Sequence, residues 1–128
     1  MATGTVTITE QVHTSMKKVK FAWTATTGGS AGDTTTNLYS GLLYRTIIVP
    51  GSSNSAPSSN YDVAVNDADG YDVLNGAGAN SSTASNDYFG GSTGGDSQSP
   101  ISAVSSKLTL AVTNAGDAKS GTVVLYIR

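Results

Sequence analysis

The stretch "YDVAVNDADGYDVLNG", residues 61–76, sets four carboxylates, Asp62, Asp67, Asp69 and Asp72, around Gly70 in a chain of which only 12% is charged. Carboxylates spaced about a glycine are what a calcium loop uses, since a hard cation collects oxygens and the backbone must turn sharply to supply them. With Gly70 at the glycine position of an EF-hand frame, Asp67 and Asp69 fall on ligand positions, but Val65 takes the first and Gly76 the last. Two obligatory oxygens are missing. The stretch therefore reads as a tight turn: Gly70 tolerates positive φ, and Asp side chains bond their own backbone two residues on. No metal and no cofactor is assigned.

The other residues that could do chemistry read the same way. "GGSTG", Gly90 to Gly94, fits the G-x-S-x-G pattern of hydrolase nucleophile elbows, yet Gly94-Gly95-Asp96 follows where that motif needs a helix. His13 is the only histidine and stands at the head of a strand, where a solvated side chain is its ordinary fate. With no cysteine, disulfides, thiolate metal sites and a cysteine nucleophile are excluded. Lys17, Lys18 and Lys20 form the only basic cluster; they read as a solvated face or a guard against edge pairing, with contact to an acidic partner surface as the alternative. Trp23 and the six tyrosines could stack on sugars, but Trp23 continues the row of Val19 and Phe21, which points to core packing. No catalytic residue emerges, and the chain reads as a non-enzyme.

The elements that carry these residues are strands. The chain has 18 Ser, 17 Thr and 15 Gly and few strong helix formers, a composition of strands joined by small-residue loops. Alternation with period two runs through "TGTVTITEQV", through "KKVKFAWTAT" and on both sides of Asp67–Gly70, where Tyr71 and Val73 resume it as a second short strand. "NLYSGLLYRTIIVPG" is apolar on both faces and predicts a strand covered on two sides. "KLTLAVT", "NAGDAKSG" and "TVVLYIR" predict a hairpin in which Leu108, Leu110 and Val112 face Val123, Leu125 and Ile127. Residues 76–106 show almost no periodicity and read as one long Gly/Ser-rich loop, mobile until a partner orders it.

The expected fold is a single all-β domain over residues 1–128, an antiparallel β-sandwich or barrel-like body of seven or eight strands. The net charge of −2 gives no field to gather nucleic acid or anionic lipid, and "MATGTVTITEQV" lacks the basic and apolar regions of a signal peptide. Neither nucleic acid nor a membrane is expected as a partner. Residues 1–9 read as an arm with few charges to guard its backbone, so Ala2, Thr3, Gly4, Thr5 and Val6 are candidate partner contacts. Tyr88 and Phe89, the only aromatics of the long loop, are candidate anchors beside them. The two-faced segment Leu42 to Val49 points to a homo-oligomer, a trimer by preference.

Three stretches, "GTVTITEQVHTSMKKVKFAWT", "GLLYRTIIVPG" with "NYDVAVNDADGYDVLNGAGAN", and "KLTLAVTNAGDAKSGTVVLYIR", resemble small virion proteins of tailed bacteriophages and prophages, several of which look like head decoration or cement proteins. The resemblance implies a structural protein of the virion that is made in the host cytoplasm and adds to the outside of a preformed shell, with the major capsid protein as partner. Neck, tail and fibre proteins share the composition. A carbohydrate-binding or adhesin module is the alternative outside that group.

Overall fold

The computed structural model describes residues 4–13, 15–74, 76, 78, 79, 81, 86–89 and 102–128. Nine strands run through them: β1 (Thr5–Val12), β2 (Lys17–Thr24), β3 (Ala31–Thr34), β4 (Tyr39–Pro50), β5 (Asp62–Asn66), β6 (Asn86–Phe89), β7 (Ser102–Ser106), β8 (Thr109–Thr113) and β9 (Ser120–Ile127). They form two antiparallel sheets, one of them curled into a half-barrel, so the fold is all-β in the sandwich-like and barrel-like manner that the alternation predicts. The larger sheet has the order β1-β2-β9-β4-β6, with β7 also on β4; the smaller is β3-β8-β5.

The core lies between the sheets and follows the period of two. Val19, Phe21 and Trp23 of β2, Val123, Leu125 and Ile127 of β9, and Leu43 and Ile48 of β4 meet Val63 and Val65 of β5 and Leu110 and Val112 of β8. Burying each such side chain is worth roughly 1.5–3 kcal/mol, which makes this double row the main source of stability. Trp23, 2% exposed, is core as predicted. Its seat depends on Gly121, which β9 places opposite it: a Cβ there would stand 2.6 Å from Trp23 Cζ2 and 2.9 Å from the Val49 carbonyl oxygen.

Three sequence expectations need correction. The predicted C-terminal hairpin is not one, because β8 pairs with β3 and β5 while β9 pairs with β2 and β4. Its two apolar rows do face each other, but across the core. The connection is held away from a hairpin by Asn114, Gly116 and Ala118, all at positive φ, and by bonds to other segments: Ala115 donates to Gly29 O, Ala118 to Thr26 O, and Ala25 to Lys119 O.

β4 is also not a simple alternating strand. Its pairing with β9 slips between Leu43 and Arg45, so Tyr44 and Arg45 together oppose Tyr126. This bulge reverses the phase, which lets Leu43 and Ile48, five positions apart, both point inward. Leu42, Tyr44 and Val49 are left outside, exposed to solvent.

Finally, residues 76–106 are not without strands. β6 and β7 lie within them and pair with the edge of β4, and Val104 enters the core. The reading of that span as mobile concerns mainly residues outside the described set.

Candidate partner-binding surface

The acidic stretch is a turn, and the carboxylates of Asp67 and Asp72 are engaged with its backbone. Gly70 sits at φ +89° and donates its N–H to the Asp67 carbonyl. Asp67 Oδ1 accepts the backbone N–H groups of Asp69 and Tyr71, each at 3.0 Å. Asp72 Oδ1 accepts from Val65 at 3.1 Å and Leu74 at 3.0 Å, and its Oδ2 accepts from Gly76 at 3.0 Å. These are self-contained caps on a chain reversal. The expected second strand reduces to one bridge, Asn66 with Asp72; Tyr71 is 73% exposed while Val73 is buried. Asp72 terminates the alternation there, because its carboxylate fastens the following turn.

A second carboxylate does similar work. Glu10 on β1 accepts the N–H groups of Thr36 and Asn37, each at 3.2 Å, and the Tyr39 hydroxyl at 2.5 Å. Burial pushes the Glu10 carboxyl up, but the bonds from Tyr39, Asn37 and Thr36 outweigh it and hold its pKa below the ordinary 4.5. Burial and the Glu10 carboxylate together push the Tyr39 phenol up. The cluster clasps residues 36–39 to the edge strand. Among the described residues, no group of three or more His, Cys, Asp or Glu could hold a metal ion.

The sequence-predicted contacts are not brought together. Ala2 and Thr3 lie outside the described residues, as does the Gly90–Gly94 motif. Thr5 and Val6 belong to β1, paired with Thr24 and Trp23, and Gly4 packs against Ser30 and Ala31. The segment from Thr5 onward is an edge strand, as the alternation in "TGTVTITEQV" predicts, paired along its length with β2. Tyr88 and Phe89 are in β6, paired with Thr46 and Arg45. β1 and β6 are at opposite edges of the larger sheet, four strand spacings of about 4.8 Å apart. The lysines are not edge guards either, since β2 lies between β1 and β9. His13 is exposed in the β1–β2 turn, its N–H donating to Met16 O.

What the sheet does assemble is the face between those edges. Lys18 of β2 and Arg45 of β4 both pair with Tyr126 of β9. The Lys18 ammonium lies 5.7 Å from the centre of the Tyr126 ring and the Arg45 guanidinium 5.6 Å from it. Arg128 lies 5.6 Å from the Tyr44 ring. Further along the same face, Thr7, Ala22, Val49 and Thr122 border a shallow depression of about 360 Å³. Sequence reasoning missed Tyr126 and Arg45. Tyr126 was within reach, as the residue between the inward Leu125 and Ile127; Arg45 was hidden by the bulge.

No protein family, curated protein or solved structure matches the chain.

Proposed function

We propose that this protein is a non-enzymatic structural component of a phage virion, a decoration protein that binds the outside of the head and stabilises it. The observation that carries the reading is the outer face of the six-stranded sheet: cations and aromatic rings fixed on rigid, paired strands, beside a depression able to seat a partner's side chain. Such a surface suits binding. Asp67 and Asp72, two of the carboxylates that might have served chemistry, are used as backbone acceptors instead. The resemblance of three long stretches to virion proteins supplies the partner, the major capsid protein, and the location, the capsid surface. The mechanism is stabilisation by mass action: a ligand that binds only the assembled shell lowers the free energy of that state without a chemical step.

We further propose a homotrimer, supported by the exposed Leu42, Tyr44 and Val49 that the bulge turns outward. Light scattering on the purified protein checks it, with a mass of three chains expected. The functional reading is tested by co-sedimentation with expanded heads and with purified tails of the same phage. Saturable binding to heads is expected. Binding to tails alone would move the protein to the neck, tail or fibre, and a positive glycan array with neither would favour the adhesin alternative.

A further inference from the structure

Building on the reading of the outer sheet face as a binding surface, we propose that Lys18, Lys20, Tyr126 and Arg45 form a docking site for a carboxylate-rich protein surface. The fold separates charges that the sequence mixes. Lys18 and Lys20 stand on the outer face of β2 and Arg45 on β4 next to them across β9, while Asp87, paired with Ile47, shares that face at the far edge, on β6. Glu10, on neighbouring β1, is turned to the other side and bonded to Tyr39. Asp33, Asp62, Asp67, Asp69, Asp72 and Asp117 all belong to the smaller sheet, its turns or the connection leaving it. Within a net charge of −2, the face thus gathers Lys18, Lys20 and Arg45 around Tyr126, with Asp87 at its edge, while the six aspartates above lie elsewhere.

The cations are also held in place. Tyr126 lies between Lys18 and Arg45 and offers its ring to both, which limits the entropy lost when a partner engages them. Lys20 is two residues along the strand, about 7 Å from Lys18. It pairs with Val124, an outward residue that is nonetheless only 8% exposed, as expected if long side chains lie along it. A flat array of separated point charges fits carboxylates distributed over a protein surface. Single exposed ion pairs contribute little, so the site acts through its several charges and through steering of the encounter.

The test pairs Lys18→Glu/Lys20→Glu with a control of equal charge change remote from the face, Lys107→Glu/Lys119→Glu; Lys18→Gln/Lys20→Gln serves if the first variant melts early. Binding is measured to expanded heads at about 0.1 M and about 0.5 M salt, and separately to immobilised poly-L-glutamate and to single-stranded DNA. The wild type should bind heads and polyglutamate in a salt-sensitive way, with a loss of about tenfold or more in the face variant and little change in the control. Undiminished head binding by the face variant would overturn the site and leave the decoration reading standing. Lysine-dependent binding to polyglutamate without binding to heads would uphold the site and retire the decoration reading. Preference for DNA over polyglutamate, or binding to neither heads nor polyglutamate, would overturn the proposal.

Discussion

Glu10, Asp67 and Asp72 each accept backbone N–H groups of a neighbouring turn, and their value is structural. Replacing Asp72 with Ala removes an acceptor for the N–H groups of Val65, Leu74 and Gly76, and should cost on the order of 2 kcal/mol in a denaturant melt. Asp69, whose part in the turn is its own N–H, should tolerate Asn far better than Gly70 tolerates Val at φ +89°. Calcium should do nothing here: melts in millimolar calcium and in excess chelator should agree within about 2 °C. Glu10 gives a pH signature. Its folded pKa is depressed, so its contribution is complete above about 4.5 and is lost as pH falls through the lower folded value. The stability gap between wild type and Glu10→Gln should therefore be widest at neutral pH and shrink on acidification. The turn at Asp67–Gly70 was legible from residue order alone. The role of Asp72 was not, since the N–H of Val65 reaches its carboxylate only after the chain has reversed.

The strands were readable because burial on one face writes a period of two into the sequence, and β2 and β8 carry it most plainly. Partners were not readable, because the same alternation serves a hairpin and two strands in facing sheets; β8 and β9 differ from a hairpin only in where their backbone hydrogen bonds go. The bulge in β4 defeated the alternation itself, making a one-sided strand look two-sided. β6 and β7 carried too little apolar periodicity to be seen, being short strands laid against an edge. Two experiments address this level. Gly121→Val forces a side chain against Trp23 and the Val49 carbonyl, and should destabilise by about 2 kcal/mol or more, with a change in tryptophan fluorescence. Deleting residues 2–6 removes the pairs Thr5 with Thr24 and Val6 with Trp23, so the truncated protein should melt earlier than the full chain as well as bind heads more weakly.

For the whole molecule, the fold converts a nearly neutral, weakly patterned sequence into a body that gathers Lys18, Lys20 and Arg45 around Tyr126 on one sheet face and leaves Asp33, Asp62, Asp67, Asp69, Asp72 and Asp117 to the smaller sheet and its connections. Nothing in residue order announced that separation, because Lys18, Arg45 and Tyr126 meet only through the pairing of β2, β9 and β4. The function proposed for it is energetic: occupancy of the assembled shell at about a hundredfold excess over Kd would contribute about 2.7 kcal/mol per site. The most direct measurement is the thermal disruption of expanded heads, followed by calorimetry, with and without saturating protein. A higher disruption temperature that rises with protein concentration and saturates is the predicted result; an unchanged disruption temperature in saturating protein would contradict a decoration role.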